Sequence, residues 1–341
     1  MPMGADASSL TWARLVPLLF IAFLSWGAVF KINVATFQNI SSSRKAMQGE
    51  RNKQTEAFAS EPRPSLLDAR PVPLMAETGG IVLFYHVAKA GGTTIRNVLK
   101  SFGNVNLKAR VNIVQALPDI KMWAKGYSRG KVLAIEIHDG VNPNMEEIAA
   151  MLDPIREEAE SNGVPFFSFT TLREPLSYAI SFYNYENMGA SSRYDKGNYT
   201  EESFRQLTLP SPQCMFFARG ELATTNLYPE LGYNLTEEEC TSTYEVMTRH
   251  IDWVGHMETM SSDILPLLTY MLSGDPSQSS VPSKPANVNK RKNQIDQSAL
   301  TQATKDYVYS INKGDMLLRE RSSQDYRMSM WTNMPKTSET N

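Results

Sequence analysis

Apolar and polar positions along this chain of 341 residues follow two periods. Three short runs, 81–86, 132–137 and 166–171, are dominated by apolar and β-branched residues with little alternation, the pattern of parallel strands buried on both faces. Apolar residues at helical spacing predict helices over 92–101, 144–159 and 175–186, and others near 201–208, 236–250 and 258–272. A long helix is expected from Ile295 to Arg319. Strands alternating with helices imply right-handed crossovers and one parallel sheet flanked by helices. Ligands of such α/β sheets bind just past the carboxyl ends of the strands.

Outside this domain the pattern changes. Leu15 to Phe30 is an uncharged apolar run between Arg14 and Lys31, and Ile32 and Val34 extend it if Lys31 snorkels. It reads as a transmembrane signal-anchor over 15–34 behind a short tail, 1–14; a cleaved signal peptide is the competing reading. Residues 35–79 are polar and interrupted by Pro62, Pro64, Pro71 and Pro73, which predicts an extended stem. That leaves 80–321 as one large α/β domain and 322–341 as a flexible tail. A net charge of −2 gives no global basic field, which argues against nucleic acid as a partner. Three glycosylation sequons begin at Asn39, Asn198 and Asn234.

Candidate chemistry concentrates at strand ends. After the first strand comes His86-Val-Ala-Lys89-Ala90-Gly91-Gly92-Thr93-Thr94, where glycines let successive N–H groups and a helix N-terminus face one anion. Lys89 adds a positive charge, and the threonines add hydroxyls. The loop lacks the Walker arrangement, because Lys89 precedes the glycines instead of following them. An ordinary strand-to-helix turn is the bland alternative. A second corner, Arg173-Glu174-Pro175, carries a guanidinium suited to two-pronged phosphate binding, or to a plain ion pair. His138 follows the strand 132–137 and is a candidate general base, with Glu136 two residues earlier placed to replace or orient it. The densest basic run, Lys290-Arg291-Lys292, is either a ligand-binding loop or a solvated one.

These segments together resemble the membrane-bound carbohydrate sulfotransferases, in particular the group that includes heparan-sulfate 2-O-sulfotransferase and the galactose sulfotransferases. The loop is similar to that family's His-x-Pro-Lys-Thr-Gly-Gly-Thr-Ser, with Ala88 and Ala90 departing from it. Arg173, Pro175 and Ser181 match Arg-(Asp/Glu/Asn)-Pro-x(5)-Ser. Val254, Gly255 and Glu258 match Val-Gly-x-x-Glu, which in the family ends a short strand of the central sheet. Asn312 and Asp315 loosely match a closing Asn-x-x-Asp.

The resemblance implies a P-loop-NTPase-like sheet and a sulfotransferase that uses PAPS (3′-phosphoadenosine 5′-phosphosulfate) without a metal. The 86–94 loop would bind the 5′-phosphosulfate, Arg173 and Ser181 the 3′-phosphate, and Lys290 to Lys292 would belong to a mobile loop closing over nucleotide and acceptor. His138 or Glu136 would deprotonate a glycan hydroxyl, the acceptor groove falling within about residues 187–236. The implied setting is a single-pass type II Golgi membrane protein with a lumenal catalytic domain. In that oxidising lumen Cys214 and Cys240 are expected to pair; two buried thiols are the alternative. An inactive glycan-binding protein on the same fold and a P-loop-like nucleotide kinase stay open as other readings, as do the acceptor's identity and self-association.

Overall fold

The computed structural model describes residues 71–127, 130–138, 143–188, 199–220, 235–276, 295–326 and 330–333. All of them lie in the second of two compact units, Pro64–Asn341. The expected anchor and most of the stem fall outside the described residues. Among the described residues no helix is long and apolar enough to cross a membrane.

The centre is a parallel sheet of β1 (Gly80–Tyr85), β2 (Val105–Val111), β3 (Val132–Ile137), β4 (Phe166–Leu172) and β5 (Trp253–His256), in the order β2-β3-β1-β4-β5. Every residue of β1 and β3 is buried, as expected of strands covered on both faces. The connecting helices are α1 (Gly92–Ser101), α2 (Ile113–Ala124), α3 (Met145–Ser161) and α4 (Pro175–Met188). Then come α5 (Glu201–Leu207), α6 (Pro212–Arg219), α7 (Glu237–His250), α8 (Ile264–Ser273), α9 (Gln302–Ile311) and α10 (Lys313–Asp325). From β1 the chain goes out to the edge strand β2, returns to β3 beside β1, and then crosses to β4 on the other side. Such a reversal opens a crevice beyond the carboxyl ends of β1, β3 and β4. Helix α3 shows how sequence sets an end here: Asn144 accepts from the Glu147 N–H while the Glu147 carboxylate accepts from the Asn144 N–H.

The pattern and the structure differ at several places. β2 and α2 are absent from the predicted elements, although β2 carries the alternation of a half-buried strand. β2 is an edge strand whose apolar residues alternate with Asn106, Lys108 and Arg110, and its pairing with β3 shifts register between Lys108 and Val111. Pro118 lies inside α2 and disguises a helix that Asn112 caps by accepting from the Val114 N–H. The long helix expected over Ile295–Arg319 is instead a 3₁₀ turn, α9 and α10, broken at buried Asn312. Its side-chain oxygen accepts from the Ser211 N–H, and its amide donates to the Val308 carbonyl, so a tertiary partner stops the helix. Likewise 258–272 divides into a 3₁₀ turn, Met257–Thr259, and α8, whose N-terminus Asp263 caps.

The domain reaches beyond both expected limits. Val72 and Met75, from the expected stem, are buried in the core, and the Met75 N–H donates to the Met271 carbonyl. At the other end Ser322, Tyr326, Met330 and Trp331 are buried, Trp331 packing against Phe167 and Trp253. Two aromatic anchors in a polar tract are too sparse to produce a period.

Candidate active site

The loop after β1 reaches α1 through left-handed backbone at Lys89 (φ 66°) and Gly91 (φ 91°). Gly91 occupies the N-cap position of α1, no side chain caps that end, and no acidic residue lies in the first turn. The Ala90 N–H is used by the Val87 carbonyl, and those of Thr94 and Ile95 by the Gly91 carbonyl. Thus Ala90 and Thr94, expected among the anion-binding amides, are spent within the turn. The N–H groups of Gly91, Gly92 and Thr93 have no partner among the described residues, and an uncapped helix end of this kind favours an anion. Thr171 Oγ1 donates to the Ala90 carbonyl at 2.6 Å, which fixes the turn to β4.

The bend requires a glycine at position 91, where φ is 91°, and close packing requires one at position 92. A Cβ on Gly91 would lie 2.2 Å from Met260 Cε and 2.6 Å from Met257 Sδ. One on Gly92 would lie 1.9 Å from His86 Nε2. His86, the first residue of the motif, therefore packs beneath the start of α1.

His86 belongs to a buried polar cluster. Its Nδ1 lies 2.7 Å from Glu136 Oε1, and Arg96 on α1 grips the same carboxylate with Nε at 2.6 Å and Nη2 at 2.5 Å. Glu136 is completely buried. Burial raises its pKa, but the hydrogen bonds from His86 and Arg96 outweigh that and hold the carboxyl at about 2. Burial drives His86 down to about 4, so it is neutral at pH 7 and donates from Nδ1 to the ionised carboxylate. Glu136 is thus no base for an acceptor: the imidazole it orients is His86. His138 follows, its N–H donating to the Val111 carbonyl and its ring edge-on to His86 with centroids 4.2 Å apart. His86 stands between the two residues expected to act together.

On the other side of β1, the β4–α4 corner meets the same loop. Arg173 Nη1 donates to the Lys89 carbonyl at 2.9 Å. Burial lowers the Arg173 pKa, and its Nε is buried without a partner among the described residues. Glu174 is no partner for that guanidinium in any hydrogen bond; its carboxylate accepts from the N–H groups of Leu176 and Ser177 and caps α4 behind Pro175. Glu258 accepts from the Glu174 N–H at 2.9 Å, which gives the family-like Val254-Gly255-x-x-Glu258 segment a role in holding this corner. Ser181, two turns along α4, hydrogen-bonds neither Arg173 nor the loop. Tyr185 lies one turn beyond it on the same face, and Lys89 Nζ sits 4.2 Å above the Tyr185 ring.

Lys290, Arg291, Lys292 and the sequons at Asn39, Asn198 and Asn234 lie outside the described residues. Cys214 and Cys240 form a disulfide joining α6 to α7. Residues that escaped the sequence reading are Arg96, Gln213 and Tyr185. Tyr185 was accessible through its helical spacing from Ser181, whereas neither Arg96 nor Gln213 belongs to any short motif. No group of three or more His, Cys, Asp or Glu side chains is arranged for a metal among the described residues.

No protein-family model and no curated protein matches this chain. Among solved structures, the mouse sulfotransferase SULT7A1 complexed with PAP is similar at 14% sequence identity and a TM-score of 0.40, over 74% of this chain and 90% of that one. A likeness at that level carries no argument about function, which rests on the geometry above.

Proposed function

We propose that this chain is a PAPS-dependent sulfotransferase that transfers a sulfuryl group to a hydroxyl of a glycan or polysaccharide. The observation that carries this reading is the 2.9 Å hydrogen bond from Arg173 to the Lys89 carbonyl, which joins a second cationic group to an open helix N-terminus. One phosphate needs only the loop. A nucleotide with anionic groups on its 5′ and 3′ sides accounts for both, and the buried Arg173 Nε, without a partner among the described residues, is a donor such a group would meet.

PAPS supplies an activated sulfuryl group. The amides of Gly91, Gly92 and Thr93 with Lys89 would hold the 5′ side and stabilise the charge left on the departing phosphate. Arg173, with Ser181 along α4, would hold the 3′-phosphate. His138 would accept the hydroxyl proton as the acceptor oxygen bonds to sulfur and the bond from sulfur to the 5′-phosphate oxygen breaks, releasing adenosine 3′,5′-bisphosphate. Lys290 to Lys292 are proposed to meet the nucleotide or an anionic acceptor. We also place the domain in the Golgi lumen behind an N-terminal anchor, a reading supported by the apolar run at 15–30, the sequons and a disulfide that suits an oxidising compartment.

The test is titration of the purified protein with adenosine 3′,5′-bisphosphate and with ATP and Mg²⁺, followed by labelled-sulfate transfer to uronic-acid, galactose and amino-sugar polymers. Tight bisphosphate binding, with transfer abolished by His138→Ala while binding persists, is the expected result. Preference for ATP and Mg²⁺ would make it a nucleotide kinase. Binding neither nucleotide would leave a glycan-binding protein.

A further inference from the structure

We propose that Gln213 and Asp315, which touch no part of the loop themselves, are positioning residues that set Arg173 for recognition of the 3′-phosphate. This deepens the sulfotransferase reading and rests on it. The backbone of Arg173 lies where β4 ends and α4 has not begun. One side chain binds it on both sides: the Arg173 N–H donates to Gln213 Oε1 at 2.8 Å, and Gln213 Nε2 donates to the Arg173 carbonyl at 2.8 Å. The amide of Gln213 does here what a neighbouring strand does along a sheet.

A glutamine amide can be turned over, which would set its oxygen against the Arg173 carbonyl and its NH₂ against the Arg173 N–H. Asp315 forbids that. The second hydrogen of Gln213 Nε2 goes to Asp315 Oδ2 at 3.1 Å, and a carboxylate cannot donate to a flipped oxygen. Asp315 also accepts from the backbone N–H groups of Gln213 at 3.0 Å and Cys214 at 2.8 Å, which seats it on the N-terminus of α6. Both side chains are 1% exposed, so water does not substitute for either.

The seat is held from behind. Ser211 adopts left-handed backbone (φ 42°), its N–H donates to Asn312 Oδ1, and its Oγ accepts from the Gly314 N–H. A Cβ on Gly314 would lie 2.3 Å from Cys240 Sγ, so the Asn312-Lys313-Gly314-Asp315 turn packs directly on the disulfide. A continuous chain of contacts therefore runs from Asp315 through Gln213 to the Arg173 backbone, and from the Arg173 guanidinium to the Lys89 carbonyl. The backbone clamp fixes where the Arg173 side chain leaves the corner, and the Lys89 carbonyl fixes where its guanidinium ends.

The experiment compares the full chain with Gln213→Met and Asp315→Asn, each also combined with Arg173→Ala. Dissociation constants for adenosine 3′,5′-bisphosphate and for AMP, which lacks the 3′-phosphate, are measured by calorimetry. Thermal unfolding is recorded in parallel. Gln213→Met is expected to weaken bisphosphate binding about tenfold or more, as the loss of two hydrogen bonds implies, and to leave AMP binding nearly unchanged. Asp315→Asn should act in the same direction but less, and neither change should add to Arg173→Ala. Equal weakening of both nucleotides, additivity with Arg173→Ala, or a lowered Tm with selectivity intact would overturn the proposal. A wild-type protein with no preference for the bisphosphate would remove the sulfotransferase reading instead. In that case amide exchange in the free protein decides the positioning role: faster exchange at Arg173 and residues 89–94 in both variants, with β1 and β3 still protected, supports it, and unchanged exchange overturns it.

Discussion

Replacing Gly92 with alanine tests the packing that shapes the loop. The backbone of Gly92 is helical, so alanine is not strained by its own conformation. The added Cβ would nonetheless fall 1.9 Å from His86 Nε2, 2.1 Å from Cε1 and 2.3 Å from Cδ2. Ordinary contact of ~3.5 Å requires the ring to retreat by roughly 1.6 Å. It has nowhere to go: the ring stacks on Phe84, lies edge-on to His138 and is held to Glu136 at 2.7 Å. A shift of that size breaks the hydrogen bond to a buried carboxylate. Overpacking costs about 1–3 kcal/mol, and a hydrogen bond to a charged group contributes about 1.5–3 kcal/mol. Gly92→Ala should therefore destabilise the domain by about 3–5 kcal/mol, a large part of the ~5–15 kcal/mol that separates a folded domain from its unfolded chain.

The assay is a double-mutant cycle by urea denaturation. In a His86→Ala background the space is already open, and Gly92→Ala should cost less than ~0.5 kcal/mol, since alanine is the better helix former. The coupling between the two sites should then be about 3 kcal/mol, at unchanged m-value. If Gly92→Ala alone is within ~0.5 kcal/mol of wild type, the second glycine is not there to admit His86.

Three further outcomes are expected. Arg96→Met leaves Glu136 buried with His86 as its remaining hydrogen-bond donor and should cost about 3–5 kcal/mol, whereas adding Glu136→Gln should recover part of that loss in the same denaturation experiment. Reducing Cys214–Cys240, or replacing both by alanine, should lower stability by about 2–4 kcal/mol, read as a drop in Tm and, through Asp315, as weaker nucleotide binding. Burial holds His86 and His256 at about 4 against an ordinary 6.5, so the stability each contributes is complete above pH 6.5 and is lost as pH falls through 4. Asp315 opposes them, because burial raises it to about 6 from 3.8 and protonation favours the folded state over that interval. Two groups outweigh one, so denaturation midpoints should fall between pH 6.5 and 4, and His256→Gln should flatten that fall.

Much of this architecture is legible in the chain because its central strands are buried on both faces. β1, β3 and β4 announce themselves as apolar runs, and the candidate corners follow each of them directly. β2 does not, because an edge strand needs only one apolar face and this one also carries a bulge. The pairing of Lys89 with Arg173 at one crevice followed from topology alone. The identity of the residue beside His138 did not. A period of two puts Glu136 and His138 on the same face of the strand, which is correct, but only tertiary packing inserts the His86 ring between them. Gln213 was illegible for a different reason: its role depends on a residue 102 positions away.

The charge balance explains how a buried carboxylate can lie beside the proposed anion site. Glu136 ionised at the carboxyl edge of the sheet would repel a phosphate in the crevice next to it. Arg96 cancels that charge through two hydrogen bonds, and His86, kept neutral by burial, adds none. The cluster under the loop is therefore close to electrically silent. Beside it lie the uncapped end of α1 and the guanidinium of Arg173, which reaches the Lys89 carbonyl and also feels the charges of Glu258 and Glu174. Lys89 stands over the half-exposed ring of Tyr185, which gives its ammonium a seat.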